Sequence, residues 1–499
     1  MSLLFLKNAQ VADGSGAPFY PANILIDGDK IASVGPVDCP PDASAIDCSG
    51  QVVSPGFIDA HSHSDLQVLD PQRTEKSRQG VTSEVVGNCG FSPYPCSDAH
   101  ALHEFANGIL FGGQNWGWRK ASDYLLETQA RARLASVASL VGHGSLRIAH
   151  AGNTHGVLPE STVSAMESTL DESLADGAAG FSTGLMYAPG ASAPTDELVR
   201  LCRVVAKRDK IYCTHMRDYS THLLEAIDEQ IELARNSGCR LQISHLQTVG
   251  RVNWYRNDLA LEKIEQARQS GIDVMFDCYP YLAGSTVLTQ MLPQWALEGG
   301  TSGLLDRLQE AATRQRLHDA ILQSMVHQWS DIFISGVQSE ANAHLVGQNL
   351  EEISKLRSES PTDVIFNLLL EEKGAVNMLQ FNQSEENLRR NLAHPLSIVI
   401  SDGFYVKGRP HPRLHGTFPE LLGQICRENH WLTLADALHK VTGKPADRFQ
   451  IKQRGFIRPG YFADLAIFDA DTIQSQSTYA NPEGKPVGIS HVVRNGQLI

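Results

Sequence analysis

Nowhere in the 499 residues does an apolar run approach the ~20 that a bilayer-crossing helix needs, which excludes a helical membrane protein. The opening Met1-Ser2-Leu3-Leu4-Phe5-Leu6-Lys7 is briefly apolar but lacks a basic leader, so it reads as a first strand and not as a signal peptide. Positive charge is in deficit: 42 Lys and Arg face 56 Asp and Glu, for a formal net charge of −14. A nucleic-acid or anionic-membrane partner would need a basic face, so neither is expected. The nine cysteines are odd in number and scattered, which argues against a disulfide framework and for a reducing cytoplasm. No internal repeat and no low-complexity tract interrupts the chain.

What is present is too long for one ordinary core, so a large domain plus a smaller one is expected. Residues 3–50 alternate short β-rich runs (Leu4-Phe5-Leu6, Ile24-Leu25-Ile26, Ile31-Ala32-Ser33-Val34) with the turn signals Asp13-Gly14-Ser15-Gly16 and Asp27-Gly28-Asp29. The tail repeats the style in Asp464–Phe468 and Ser490–Arg494, followed by Asn495-Gly496. The two ends, 1–54 and 451–499, therefore read as one small β-sandwich domain with another domain, 55–450, between them.

That middle domain alternates apolar runs with helical patterns. After a first strand ending at His61, candidate strands are Val81–Cys89, Ser136–Gly142, Ala178–Ser182, Lys210–His215, Leu241–His245, Asp273–Tyr279 and Leu396–Asp402. Helical patterns at Glu197–Arg208, His222–Ser237, Asp258–Ser270 and Thr362–Glu372 lie between them. Continuous apolar strands joined by crossover helices close into an α/β, (β/α)8 TIM-like barrel. One gap breaks the rhythm: between strands seven and eight, residues 285–344 form an insertion rich in helix formers. It reads either as an interface decoration or as a lid that shuts out water.

Active sites of such barrels lie at the C-terminal ends of the strands. Side chains two apart on a strand share a face, so His61 and His63 converge. The other strand ends carry Cys89, His215, His245 and Asp402. Each alone is ordinary; six zinc-type or acid/base groups at one end of separate strands point to a metal site.

The run Pro55-Gly56-Phe57-Ile58-Asp59-Ala60-His61-Ser62-His63, the strand-end His215 and His245, and Ser401-Asp402-Gly403 resemble the amidohydrolase superfamily. Within it, Gly87-Asn88-Cys89-Gly90, Ser182–Tyr187, Thr214-His215-Met216-Arg217, Tyr279–Ser285, His411-Pro412-Arg413 and Gly416–Pro419 are similar to the N-acyl-D-amino-acid deacylases, or D-aminoacylases. The resemblance spans nearly the whole chain. It implies a zinc-dependent hydrolase of N-acyl amino acids, with one zinc on Cys89, His215 and His245 and a weaker second site on His61 and His63 that shares Cys89. Many two-metal relatives bridge their metals with a carbamylated lysine on the fourth strand. No lysine occurs between Lys120 and Lys207, so the Cys89 thiolate is the expected substitute.

Asp402, after the apolar run Leu396–Ile400, is the expected general base and acid for a zinc-activated water. Tyr187 is a candidate hydrogen-bond donor to the oxyanion, with a buried, self-satisfied tyrosine as the alternative. Where the family commonly carries lysine after Ser-His-Leu, this chain has Gln247. Either the substrate lacks the usual free carboxylate or Arg217, Tyr281, Ser285 or Arg413 compensates. A cyclic-amide hydrolase of the dihydroorotase or hydantoinase type is the alternative activity, and the absent lysine weighs against it. A silent barrel scaffold is a third reading, opposed by the presence of every ligand and of the carboxylate.

Overall fold

A computed structural model describes residues 3–112 and 116–499; Met1 and Ser2, part of the expected first strand, lie outside the described residues. At its centre eight parallel strands run round a barrel in chain order: Phe57–Asp59, Val81–Val86, Ser136–Gly142, Gly180–Gly184, Ile211–His215, Arg240–Ile243, Val274–Cys278 and Ser397–Val399. Strands enclosed on both faces lose all contact with water, and Val81–Val86 is buried at every position. The helix Thr195–Lys207 presents Leu198, Val199, Leu201, Cys202 and Val205 to the barrel, the spacing of one helical face. Helices Leu223–Ser237 and Arg256–Gln269 pack in the same outer ring.

Between the first and last strands the barrel closes through irregular backbone. Asp402 N donates to His61 O (2.8 Å), and His63 N donates to Gly403 O (3.0 Å). Beneath them Lys76 Nζ donates to Asp59 Oδ2 and to Ser401 Oγ, both at 2.6 Å, and Ser401 N donates to Asp59 Oδ1 at 3.0 Å. Burying such an ion pair is costly, and the added hydrogen bonds offset that cost. The result pins the segments carrying His61, His63 and Asp402 side by side.

A second sheet joins the two ends of the chain. Its order is Gln497–Leu498, Ile489–Arg494, Leu465–Phe468, Val52–Pro55, Leu3–Val11, Tyr20–Asp27 and Lys30–Gly35, with Ser44–Asp47 beside Leu3–Val11. Leu465–Phe468 pairs antiparallel with Val52–Pro55, and Leu6, Val11, Ile24, Val53, Leu465 and Ile467 share the core. The interval between Cys278 and Ser397 holds the helices Gly300–Gln309, Ala311–Ser324, Leu350–Arg357 and Pro361–Glu371. It also holds a three-stranded antiparallel sheet, with Asn377–Phe381 between Ala283–Val287 and Ile332–Gly336. The helical part was readable from composition; these strands pair over long sequence separations, and no local pattern announces them. No described helix is long and apolar enough to cross a membrane.

Candidate metal centre and catalytic cleft

Cys89 leaves the second barrel strand through the turn Gly87-Asn88-Cys89-Gly90, in which φ is 79°, 54° and 80° at Gly87, Cys89 and Gly90. Asn88 Nδ2 donates to Val85 O (2.9 Å) and Gly90 N donates to Ser182 Oγ (3.0 Å), fixing the turn to the barrel wall. A Cβ at Gly184 would run into the Cys89 carbonyl, so only glycine lets the fourth strand come this close. His245 and Asp402 are also left-handed, with φ of 35° and 49°. Such conformations cost about 1–3 kcal/mol each for a residue with a side chain. Here they turn three strand-end side chains into one mouth.

The tightest group is His61, Cys89, His245 and Asp402, whose ligand atoms all lie within 4.8 Å of one another. Cys89 Sγ is 3.3 Å from His61 Nε2 and 3.5 Å from His245 Nε2. His61 Nε2 and His63 Nε2 each lie 3.3 Å from Asp402 Oδ1. His215 stands beside this group, its ring centroid 4.6 Å from that of His245. Both of its ring nitrogens are buried without a hydrogen-bond partner among the described residues, as are Nδ1 of His61, His63 and His245. Leaving such atoms unpaired costs about 1–3 kcal/mol each, a cost that a bound cation repays. One thiol, several imidazoles and a carboxylate around one point are a donor set that fits zinc.

The charges within the group set one another. Burial opposes ionisation of Cys89, yet the charge of His61 and the neighbouring His245 imidazole outweigh it and hold the thiol well below its ordinary value. Burial likewise opposes protonation of His63, but Asp402 and Cys89 prevail and raise it to about 9. Asp402 is held well below the usual carboxylate range: desolvation is overcome by Arg413, His61 and His63. Arg413 NH1 lies 3.0 Å from Asp402 Oδ2, and its guanidinium sits 4.6 Å from the Tyr279 ring centroid.

Above the group opens a cleft of ≈ 190 Å³, lined by His63, Cys89, His215, His245 and Asp402 and by Tyr187, Gln247, Ser285 and Arg413. Two expected substrate residues are absent from it. Arg217 gives Nε to Glu229 (2.9 Å) and its terminal nitrogens to the carbonyls of Ala191 (2.6 Å) and Ala193 (2.7 Å), so its donors are committed to structure. Tyr281 turns away, packing at 5.1 Å from His411 and 6.5 Å from Tyr479.

Two residues of the neighbourhood were missed. Tyr219 packs its ring 5.2 Å from both His215 and His245. Asp277, buried in the seventh strand, accepts from His245 N (2.6 Å) and Gln242 Nε2 (2.9 Å) and lies 3.6 Å from His61 Nδ1. A lone carboxylate inside the apolar run Val274–Cys278 was the available signal. Groups that orient metal ligands are worth about 10–100-fold in metal affinity. Asp277→Ala is expected to weaken metal binding by about that factor, measured by competition with a chromogenic chelator; unchanged affinity would make Asp277 a purely structural residue.

The profile of the amidohydrolase family matches residues 44–499. The chain belongs to that family. This amidohydrolase is 34% identical to the D-aminoacylase of Alcaligenes xylosoxydans xylosoxydans over 99% of its own length and 93% of that protein's. A solved D-aminoacylase, described as having a binuclear metal center with one-metal activation and second-metal attenuation, superposes with a TM-score of 0.86 at 33% identity, covering 99% of this chain and 96% of that one. The N-acyl-D-glutamate deacylase of Bordetella bronchiseptica, solved with zinc and a phosphonate mimic of the reaction's tetrahedral intermediate, matches with a TM-score of 0.86 at 31% identity over 100% and 96% of the two chains. This amidohydrolase is thus a hydrolase of amide bonds on a TIM-like barrel.

Proposed function

We propose that this amidohydrolase cleaves the amide of N-acyl-D-amino acids, releasing a carboxylate and the free amino acid. One observation carries the reading: Cys89 Sγ lies between His61 and His245 at 3.3 and 3.5 Å, with Asp402 in the same group, beneath a cleft that also holds Arg413. The D configuration comes from the names of full-length relatives. All nine cysteines are free, which supports a reducing cytoplasm as the compartment.

Cys89, His215 and His245 would hold the principal zinc, with His61 and His63 as a weaker second site sharing Cys89. Supporting this are the zinc in the Bordetella relative and the second-metal attenuation described for the solved D-aminoacylase. When bound, zinc supplies Lewis acidity, polarising a carbonyl and bringing the pKa of water to about 7. Asp402 Oδ1 takes the proton of the attacking water and returns it to the leaving nitrogen, while Arg413 on Oδ2 keeps the carboxylate ionised between turnovers. The Tyr187 hydroxyl, 3.1 Å from Thr286 Oγ1, donates to the carbonyl oxygen as it gains charge. Arg413, Ser285 and Gln247 anchor the substrate carboxylate; Gln247 Oε1 accepts from Tyr279 (3.2 Å), which leaves Nε2 to donate into the cleft. The same reading sets domain boundaries at 54/55 and 450/451 and takes 285–344 as a lid, supported by Met291, Met325, Val326 and His327 in the cleft wall.

A hydrolysis screen of N-formyl, N-acetyl and N-succinyl amino acids in both configurations, run beside dihydroorotate and hydantoin as cyclic amides, tests this. Turnover of the D series and silence of the L series is expected; turnover of cyclic amides alone would overturn it. Gln247→Lys adds a charge-assisted hydrogen bond and is expected to raise kcat/KM on carboxylate-bearing substrates by about tenfold, mainly through KM. No change would put the anchor on Arg413 and Ser285 alone.

A further inference from the structure

A second chamber of ≈ 140 Å³ adjoins the catalytic cleft, sharing Ile109, Tyr187 and Gln290 with it. Phe91, Phe105, Ile148, Val287, Leu297 and Leu304 form the apolar part of its wall, and Glu104, Asn107, Asn153, Thr289 and Thr301 a smaller polar part. Phe91 and Phe105 stack with centroids 4.6 Å apart. The Tyr187 ring is the partition: it lies 4.9 Å from His215 on the side of the metal group and 5.0 Å from Phe91 on the side of the chamber. Cys89 itself packs in one apolar cluster with Phe91, Ile109 and Val287. Apolar side chains therefore run on from Cys89 past Tyr187 into the chamber.

We propose that this chamber receives the acyl group and makes the enzyme select aryl or medium-length acyl chains over acetyl. The proposal rests on the N-acyl-D-amino-acid reading and deepens it. Charge sets the orientation. Arg413 and Gln247 line the cleft and not the chamber, so the carboxylate end of the substrate belongs with them. Among the described residues of the chamber wall the one charged side chain is Glu104, whose Oε1 accepts from Thr301 N at 3.1 Å. A carboxylate there would be repelled. With the amide at the metal group and the carboxylate toward Arg413, the acyl substituent points past Tyr187. The volume sets the size, because an apolar cavity of about 150 Å³ accommodates a benzene ring. The chamber thus fits a phenyl group or a chain of about four to six carbons.

The test is a series of N-formyl, N-acetyl, N-butanoyl, N-hexanoyl and N-phenylacetyl derivatives of the D-amino acid best hydrolysed as its acetyl form, assayed with the zinc-loaded enzyme. Burying the added methylenes is expected to raise kcat/KM by about tenfold or more from acetyl to hexanoyl or phenylacetyl. Ala101, half-buried on the helix Ala99–Ala106, lines the chamber, and Ala101→Trp fills it. That variant is expected to lower the hexanoyl-to-acetyl ratio by about tenfold, returning it to near one. A wild-type ratio at or below one overturns the chamber proposal while leaving the deacylase reading intact, and needs no variant to fold. A ratio that survives in a folded Ala101→Trp enzyme overturns it as well. Failure of every N-acyl-D-amino acid in the series overturns the deacylase reading itself.

Discussion

Asp402→Asn is expected to retain its zinc and lose about 10²–10⁴-fold in kcat, the usual worth of a positioned acid/base group. The asparagine keeps the shape of the side chain and its contacts near His61, His63 and Arg413, but it cannot take up a proton. The closure of the barrel is untouched, because it runs through the Asp402 backbone N to His61 O at 2.8 Å. Metal content and turnover must be measured on the same sample. A full rate would remove Asp402 from acid/base chemistry. Loss of zinc together with activity would recast it as a ligand, a role its place in the tight group of four also permits.

The second large effect is expected at Cys89. Zinc sites built from such donors bind with about 10–16 kcal/mol in total, so each of three or four ligands carries about 2.5–5 kcal/mol. Cys89→Ala should therefore weaken zinc binding by about 10²–10⁴-fold and lower activity in step at limiting zinc. Because Cys89 Sγ approaches both His61 and His245, the substitution weakens the principal and the second site together. His63→Ala is the contrast: His63 belongs to the second site in the proposed assignment and also contacts Asp402, so its loss should leave the first zinc in place whatever it does to turnover. Restoration of Cys89→Ala by excess zinc would support the assignment, and an unchanged zinc affinity would contradict it.

How far the sequence discloses this arrangement depends on whether the signal is local. Buried parallel strands tend to be apolar runs, so Ser136–Gly142 and Ile211–His215 stand out, and metal-type side chains follow two of the strands, Cys89 after Val81–Val86 and His215 at the end of Ile211–His215. The left-handed backbone at Cys89, His245 and Asp402 leaves no such trace, since none of them is glycine. The fate of Arg217 is decided by Glu229 on the next helix and by the carbonyls of Ala191 and Ala193, contacts that exist only once the chain has folded. Tyr281 sits in a motif with Tyr279, yet a two-residue offset in an irregular segment puts Tyr279 on the cleft and Tyr281 behind it. The three strands of the insertion span Ala283 to Phe381 and are joined only by long-range pairing.

Joint ligation of one ion by the Cys89 thiolate and the imidazoles of His215 and His245 is open to anomalous scattering from a crystal of the active enzyme at the zinc edge. A strong peak is expected about 2.3 Å from Cys89 Sγ and about 2.0–2.1 Å from a ring nitrogen of both His215 and His245. Active enzyme with no peak there, or with its metal held by other side chains, would contradict it.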